Sequence, residues 1–403
     1  MSTLGSGGWF DAGPYPEGHI QHIRVKDFVE TINWNGLRDS VTAIRAAPCQ
    51  LSERYSRGHF NVVRKIEFAD GVQWIARLRL PDSEETGRPE LLGAQKTMEV
   101  EIATMEYLRK HTIIPVPEVF AYDLDANNEI GAPYMILSYI HGTSAEELAD
   151  AKSYDLHSNT DFWKQMAAIQ MELASCTFDQ IGSIYKIDGH FSIGPEVVSG
   201  QGPWDTADAF WHDLTKHYQD IAHQYCDENI KDSPSFELPK KFTDLIKSYG
   251  KPDHRRFHLV NRDFGIHNVL VNDDFEIVGV IDFDGVIAAP IEMVAQFPCV
   301  SGIDRPMPFY EEIEKREPAI QRIKRERPRL DRYVGYLREA AQASRTKEDL
   351  EAIVDWMTKD GASVVGGLQS YHQHQLFVNE AWWKAYEKLA EKQQTKVEGQ
   401  EKQ

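Results

Sequence analysis

The spacing of apolar residues changes about one third of the way along the chain. Apolar and polar residues alternate along 60–68, before the turn pair Asp70-Gly71, and this alternation predicts strands of a half-buried antiparallel sheet. One long helix is predicted within this part, at 96–111, where apolar residues recur at helical spacing. Later segments are mostly helical in pattern. Strands grouped before helices predict an α+β protein.

Two interruptions are predicted in the helical remainder. A single short apolar hairpin is expected at 269–281, with Asn272-Asp273-Asp274 as its turn. The segment 192–205 is rich in glycine and proline, so we expect an exposed loop there.

The chain length and the grouping of strands before helices together predict two lobes. A chain of 403 residues is too long for one compact core and suits two. We expect a leader and lead-in helix at 1–45, a small sheet lobe at 46–140, a larger helical lobe at 141–392 and a polar tail at 393–403.

Composition excludes several classes of protein. The formal net charge is −19, whereas a nucleic-acid partner requires a basic face. No apolar run approaches the roughly 20 residues that span a bilayer, and the N-terminus lacks the pattern of a signal peptide. The four cysteines are widely separated, which argues against a disulfide framework or a zinc site. We therefore expect a cytoplasmic protein with no membrane or nucleic-acid partner.

Three oxygen-bearing side chains surround the predicted hairpin. Asn268 directly precedes its first strand and Asp282 directly follows its second, so antiparallel pairing brings them to one end. An amide oxygen and a carboxylate suit Mg²⁺, which takes few protein ligands and completes its shell with water and phosphate oxygens. Asp263 lies five residues before Asn268, where its carboxylate can orient a proton of a substrate hydroxyl. Phosphoryl transfer requires this combination.

Each of these residues also has a simpler interpretation. Asn and Asp are common in turns because they hydrogen-bond their own backbone, so any one of them could be a cap. The spacing of Asp263 and Asn268 is weak alone, and so is D-F-D-G, but the two joined by a hairpin are specific. Asp284 leaves three interpretations open: a second metal contact, a contact to substrate, or a cap.

These motifs resemble those of a known superfamily. The segments NRDFGIHN and IDFDG resemble the catalytic loop and metal-binding motif of protein-kinase-like enzymes, closest to the aminoglycoside phosphotransferase and choline kinase branch. IGPEVVSGQGPW, FDQIGSIY and VIDFDGVIAAPIEMVAQFP are similar to uncharacterised fungal members of the phosphotransferase family. The resemblance extends from Leu51 to the C-terminal helices. It implies a bilobal protein-kinase-like fold, with nucleotide bound by the lobe at 46–140 and catalytic and acceptor-binding groups in the lobe at 141–392.

The resemblance assigns roles to single residues. Asp263 matches the family's catalytic aspartate, and Asn268 and Asp282 match its metal ligands, here for Mg²⁺. Gly58 and Asn61, within SRGHFN, occupy the place of the glycine-containing loop that covers the nucleotide phosphates.

The resemblance also assigns nucleotide-binding roles to residues of a strand, a helix and the hinge segment. Arg77 takes the place of the phosphate-binding lysine, and Glu101 matches the helix glutamate that pairs with that cation. Arg79 shares the strand face of Arg77, so the choice between them rests on the resemblance alone. The strand in YMILSYIHG leads into the hinge, where Ser138 and Tyr139 are expected to meet the adenine.

Two departures from the family pattern bear on activity. Asn261 stands where the family carries a histidine that braces the catalytic loop, and a hydrogen bond from asparagine is the expected substitute. Arginine replaces lysine at position 77. A guanidinium stays charged and can hold a phosphate through two donors, although its geometry differs from that of an ammonium.

The sequence thus predicts an ATP-dependent, Mg²⁺-requiring kinase that transfers the γ-phosphoryl group to a hydroxyl of a small molecule. One alternative is a catalytically inactive kinase-like binding or regulatory protein, suggested by Asn261 and Arg77. Another is a metal-dependent hydrolase that pairs Asp282 with Asp284. The sequence does not identify the acceptor, the choice of ATP or GTP, or the oligomeric state.

Overall fold

The computed structural model describes residues 16–58, 60–81, 93–225, 237–249, 256–299, 306–344, 346–366, 368 and 380–401. The chain forms two compact units. The first comprises Met1–Leu156, Ile184–Ser192 and Ile266–Gly285, and the second comprises His157–Ser183, Ile193–Gly265 and Val286–Gln403. Each unit is therefore assembled from separate stretches of sequence.

The first unit is built on an antiparallel sheet preceded by two helices. The helices are α1 (Ile20–Thr31) and α2 (Trp34–Arg45), and α3 (Gly93–His111) lies between the third and fourth strands. The strands are β1 (Cys49–Arg57), β2 (Asn61–Phe68), β3 (Gln73–Arg79), β4 (Val119–Asp123) and β5 (Tyr134–Ser138). Their order in the sheet is β1-β2-β3-β5-β4, so β3 lies at the centre.

Strand β3 has two faces of opposite character. Ala76 and Leu78 are fully buried in an apolar cluster that also includes Phe28 and Leu37 from α1 and α2. Because side chains alternate along a strand, Arg77 points to the other face of the sheet. A shift of β3 by one residue would move Ala76 and Leu78 out of this cluster and expose them to water. The cluster therefore fixes the register of β3 and with it the direction of Arg77.

A second, three-stranded sheet completes the first unit. It consists of β6 (Thr143–Ser144), β11 (Val269–Val271) and β12 (Ile277–Val280), in the order β12-β11-β6, and helix α4 (Ala145–Ala151) follows β6. The hairpin of β8 (Ser183–Ile187) and β9 (His190–Gly194) lies largely in this unit.

The second unit combines a small sheet with most of the helices. Its sheet has the order β13-β10-β7, from β7 (Thr177–Phe178), β10 (Phe257–Asn261) and β13 (Val286–Ala289). The helices are α5 (Thr160–Ser175), α6 (Ala207–Tyr225), α7 (Leu238–Tyr249), α8 (Ile291–Val294), α9 (Tyr310–Ile313), α10 (Glu317–Ala343), α11 (Lys347–Met357) and α12 (Glu380–Glu401).

The prediction of an α+β protein is confirmed, and two finer expectations are wrong. The helical remainder contains β10 and β13 as well as the predicted hairpin. All five residues of β10 are buried, so the strand carries no alternation by which a sequence pattern could identify it. The segment 192–205 is not an exposed loop, because Glu196 and Trp204 are 2% and 6% exposed.

The expected leader and tail can be compared with the structure only in part. Residues 1–15 of the expected leader lie outside the described residues, and the lead-in region forms α1 and α2. Helix α12 continues to Glu401, into the polar tail. Over the described residues, none of the helices combines the length and apolar character needed to cross a membrane.

Candidate functional site

The first unit contains a pocket of about 380 Å³. Its apolar walls are formed by Val63, Ile75, Met105, Pro117, Leu137, Ile140, Leu270 and Ile281. Seven of the residues that the sequence singled out line the same pocket: Gly58, Asn61, Arg77, Glu101, Ser138, Tyr139 and Asp282. The structure thus gathers side chains from β2, β3, α3, the end of β5 and the segment after β12.

Arg77 is the centre of a network of polar contacts. It donates to Glu101 Oε1 in an ion pair, and its Nη2 lies 3.3 Å from Asp282 Oδ1. With its side-chain oxygen turned toward Arg77, Asn61 accepts from the guanidinium at 2.8 and 3.1 Å. Arg79 instead stacks over the ring of Phe60, 4.8 Å from its centroid. Of the two arginines, Arg77 is the one that lines the pocket.

The charges around Arg77 keep it protonated. Burial alone would lower the pKa of Arg77, but the facing carboxylates of Glu101, Asp282 and Asp284 outweigh it and raise the pKa above its usual value. Glu101 is 1% exposed on α3, so this guanidinium supplies the positive charge that a buried carboxylate requires.

The β11–β12 hairpin brings Asn268 beside the start of the D-F-D-G segment. Val269 pairs with Val280, and the Ile281 N–H donates to the Asn268 carbonyl at 2.9 Å. Asp282 follows with a φ of +66°, a left-handed conformation that aspartate and asparagine tolerate better than other side chains. The Phe283 N–H points to Glu101 Oε1 at 3.4 Å. These bonds hold the backbone on both sides of Asp282.

Asp284 shares the negative environment of Asp282. Burial, together with the charges of Asp282 and Glu101, raises the pKa of Asp284 to about 7, although Arg77 and Arg79 oppose the rise. Three carboxylates thus face two guanidiniums. Such an excess of negative charge is relieved by a proton on Asp284 or by a bound cation.

The loop between β1 and β2 leaves room at the pocket. The Gly58 N–H donates to the Asn61 carbonyl at 2.8 Å. Apart from its chain neighbours, a Cβ built on Gly58 would meet no atom of the described residues within 4 Å, so packing against them does not require glycine at this position.

The backbone N–H groups at the end of β5 are paired within the protein. The Ser138 N–H donates to the Glu118 carbonyl at 2.9 Å, and the Tyr139 N–H to that of Gln73 at 3.3 Å. No backbone acceptor for the Ile140 N–H is found among the described residues. Ile140, which lines the pocket, is thus the first residue after β5 whose N–H has no backbone acceptor there, one residue beyond the two that the sequence singled out.

Asp263 belongs to the second unit, two residues after the end of β10. Its backbone N–H donates to Asn261 Oδ1 at 2.9 Å. Asn261 is 5% exposed, so this side chain supports the backbone of Asp263 from within the protein. The asparagine in place of the family histidine thus makes a bracing contact of its own.

Some pocket residues were not identified from the sequence. Glu146 and Glu147 begin α4 and line the pocket together with His267. Burial raises the pKa of Glu147, as does the charge of Glu146. Their only signal in the sequence is proximity to the hinge segment and to Asn268. In the part of the chain that the structure describes, no three His, Cys, Asp or Glu side chains gather as a metal site.

Comparisons with known proteins identify a family. A family model described as the phosphotransferase enzyme family matches residues 56–292, more than half of the chain. A subtelomeric hrmA-associated cluster protein of Aspergillus fumigatus is 30% identical over 138 residues, 34% of this chain and 25% of that protein. Altered inheritance of mitochondria protein 9 of Candida albicans is 32% identical over 157 residues, 37% of this chain and 24% of that protein. The chain thus spans about a quarter of the length of these relatives.

Solved structures are more distant. An ethanolamine kinase of Plasmodium vivax has a TM-score of 0.46 at 12% identity, covering 89% of this chain and 85% of that one. An aminoglycoside phosphotransferase, APH(4)-Ia, in complex with ADP and hygromycin B has a TM-score of 0.43 at 16% identity, covering 85% and 100%. These scores carry no argument about function. The family match confirms the resemblance inferred from the motifs, and with it the predicted kinase-like fold.

Proposed function

The chain belongs to the phosphotransferase enzyme family, and we propose that it is an ATP-dependent kinase that phosphorylates a hydroxyl of a small molecule. The observation that carries this proposal is the position of Arg77. Its guanidinium lines the end of an apolar pocket and is held there by Glu101, Asp282 and Asn61. A fixed, fully charged guanidinium beside carboxylates suits the phosphates of a nucleotide bound with a cation.

The apolar walls of the pocket are suited to bind the adenine base of ATP. Val63, Ile75 and Leu270 are among the side chains that would cover a flat ring, and the Ile140 N–H is directed to no backbone acceptor among the described residues. Adenine presents a ring nitrogen that accepts a hydrogen bond, whereas guanine presents an N–H at the corresponding edge. A backbone donor at Ile140 therefore favours ATP over GTP.

The residues at the end of the hairpin fit Mg²⁺. Asp282 and Asp284 provide carboxylates in a region of excess negative charge, and Asn268 comes to the same hairpin end. We assign Asn268 and Asp282 as the residues that would hold the ion. Bound there, Mg²⁺ would neutralise phosphate charge.

Asp263 is assigned the role of orienting the acceptor. A carboxylate hydrogen-bonded to a substrate hydroxyl holds its oxygen toward the γ-phosphorus and accepts the proton as the new O–P bond forms and the bond to the leaving ADP oxygen breaks. The backbone support from Asn261 limits the loss of orientation that would otherwise slow this step. Asp263 thus acts on the acceptor, whereas Arg77 and Glu101 act on the nucleotide.

The proposal is tested by nucleotide binding followed by turnover. Thermal shifts with ATP, GTP and Mg²⁺ should show stabilisation that is strongest for ATP with Mg²⁺. The protein is then incubated with γ-labelled ATP and a panel of aminoglycosides, choline-like amines and sugars, beside Asp263→Ala. We expect a labelled product whose rate of formation falls about 10²–10⁴-fold in the variant. Equal product formation by both proteins would remove Asp263 from its role. Nucleotide binding without turnover on any acceptor would favour the inactive binding protein.

A further inference from the structure

The residue directly before Asp263 makes a buried ion pair with a distant part of the second unit. Arg262 Nη2 lies 2.6 Å from Glu196 Oε1, and the two side chains are 19% and 3% exposed. Glu196 precedes Arg262 by 66 residues and lies in the segment that the sequence predicted to be an exposed loop. A buried charge pair at this position requires a physical explanation, because its desolvation is costly.

Glu196 is enclosed by its own turn. Its Oε1 accepts from the Val198 N–H at 2.9 Å and its Oε2 from the Ser199 N–H at 2.7 Å. The Glu196 N–H donates to the Gln201 carbonyl at 2.7 Å, and the Gly200 N–H returns to the Glu196 carbonyl at 2.8 Å. Burial would raise the pKa of Glu196, but the charge of Arg262 and the hydrogen bonds from Ser199 and Val198 outweigh it and lower the pKa.

The turn is attached to the sheet that leads to Asp263. Trp204, at its far end, exchanges backbone hydrogen bonds with Ile181 at 2.8 and 3.0 Å. Gly182 does the same with Ala288 at 3.1 and 2.9 Å. Ala288 lies on β13, which pairs with β10 along its length. Glu196 is therefore held in a fixed position relative to the strand that ends at Asn261.

The backbone on both sides of Asp263 is held by other contacts. Cys299 Sγ donates to the Arg262 carbonyl at 3.2 Å, and the Cys299 N–H to the Phe264 carbonyl at 2.7 Å. The Arg262 side chain adds a charged contact from the same loop to the Glu196 turn.

We propose that Glu196 is a positioning residue for phosphoryl transfer. Through Arg262, it holds the loop in the conformation that directs the Asp263 carboxylate at the acceptor hydroxyl. This inference rests on the proposed function, in which Asp263 orients the acceptor. Glu196 itself touches neither substrate, so its loss should change turnover and leave nucleotide affinity unaltered.

The test replaces Glu196 by glutamine, which keeps the size of the side chain. Both carboxylate oxygens accept from N–H groups, so the amide nitrogen must face a donor and Arg262 loses its countercharge. Hydrogen–deuterium exchange by mass spectrometry should show faster exchange in peptides spanning 259–266, with other peptides of the second unit unchanged. In steady-state assays, kcat should fall on the order of 10²-fold, with KM for ATP unchanged.

Two further substitutions separate charge from fold. Glu196→Asp keeps the negative charge and should recover part of the lost kcat. Glu314→Gln is the matched control: Glu314 is 7% exposed and accepts from Arg316 at 2.6 Å, but its contacts lie at the end of α9. It should leave exchange at 259–266 and kcat at wild-type values.

Each outcome decides the inference. Wild-type exchange at 259–266 in Glu196→Gln would overturn it, and so would faster exchange throughout the second unit, which would indicate a merely structural role. A fall in kcat with an equal rise in KM for ATP would also contradict it. Absence of phosphoryl transfer by the wild type would refute the proposed function, and the exchange comparison would still decide whether Glu196 positions the loop.

Discussion

Replacing Arg77 by methionine tests the charge balance of the pocket. The substitution keeps a long side chain and removes the cation, leaving Glu101 as an unpaired carboxylate whose side chain is 2% exposed. Breaking a buried pair by removing one partner costs about 3–5 kcal/mol. Asp282, the second partner, is 36% exposed and regains water, so we expect a loss of unfolding free energy near the lower end of that range.

The loss should depend on pH in a defined direction. Arg77 opposes the rise of the Asp284 pKa to about 7, so its loss raises that pKa further, and the destabilisation of Arg77→Met should be smaller in acid and larger in alkaline solution. About 3 kcal/mol corresponds to a melting temperature roughly 6–12 °C lower for a unit of 150–250 residues. Urea and thermal unfolding, followed by circular dichroism at acidic and alkaline pH, measure both effects.

Two companion variants make this prediction refutable. The double variant Arg77→Met with Glu101→Gln lacks both charges of this ion pair, so it should be more stable than Arg77→Met alone. Arg45→Met removes a cation from the ion pair with Asp70, whose side chain is 57% exposed, and should unfold like the wild type. A wild-type unfolding curve for Arg77→Met, or a double variant no better than the single one, would show that Glu101 does not depend on Arg77.

Three further substitutions test the β1–β2 loop, the segment before β6 and the end of β10. Gly58→Ala should leave stability unchanged, because its Cβ meets open space, and should weaken ATP binding in a calorimetric titration if phosphates approach the loop. Gly142→Ala should lower the unfolding free energy by about 1–3 kcal/mol, because its Cβ would lie 3.0 Å from the Val271 carbonyl; a wild-type urea midpoint would contradict this. Asn261→Ala removes the acceptor of the Asp263 N–H and should lower kcat about 5- to 10-fold, the equivalent of one hydrogen bond of about 1 kcal/mol; a wild-type kcat in this variant would contradict the bracing role.

The sequence predicts the fold class because its strong patterns are local. The alternation in β2 and the turn at Gly71, whose φ is +83°, specify a hairpin without any knowledge of the rest of the chain. Strand β10 is buried along its whole length, so nothing in its sequence distinguishes it from a buried helix segment. The Glu196 turn was mistaken for an exposed loop because its backbone N–H groups are satisfied by the Glu196 carboxylate, which pairs with an arginine far away in the chain.

In the candidate site too, local patterns predict some positions, and contacts with distant residues decide the others. Hairpin geometry was enough to predict that Asn268 and Asp282 lie at one end, whereas the choice between Arg77 and Arg79 was not decidable from alternation, since both occupy one strand face. The structure distinguishes them by their neighbours, Glu101 for Arg77 and Phe60 for Arg79.

The binding of ATP by Asp282→Asn, with and without Mg²⁺, tests the central claim most directly. Asparagine tolerates the left-handed conformation of Asp282, so the variant should fold as the wild type does and lose a carboxylate ligand. Substitutions that merely support a ligand cost about 10- to 100-fold in metal affinity. In calorimetric titrations we therefore predict that Mg²⁺ strengthens ATP binding to the wild type and that this gain is largely lost in the variant. An equal gain from Mg²⁺ in both proteins, or ATP binding to neither, would contradict the account.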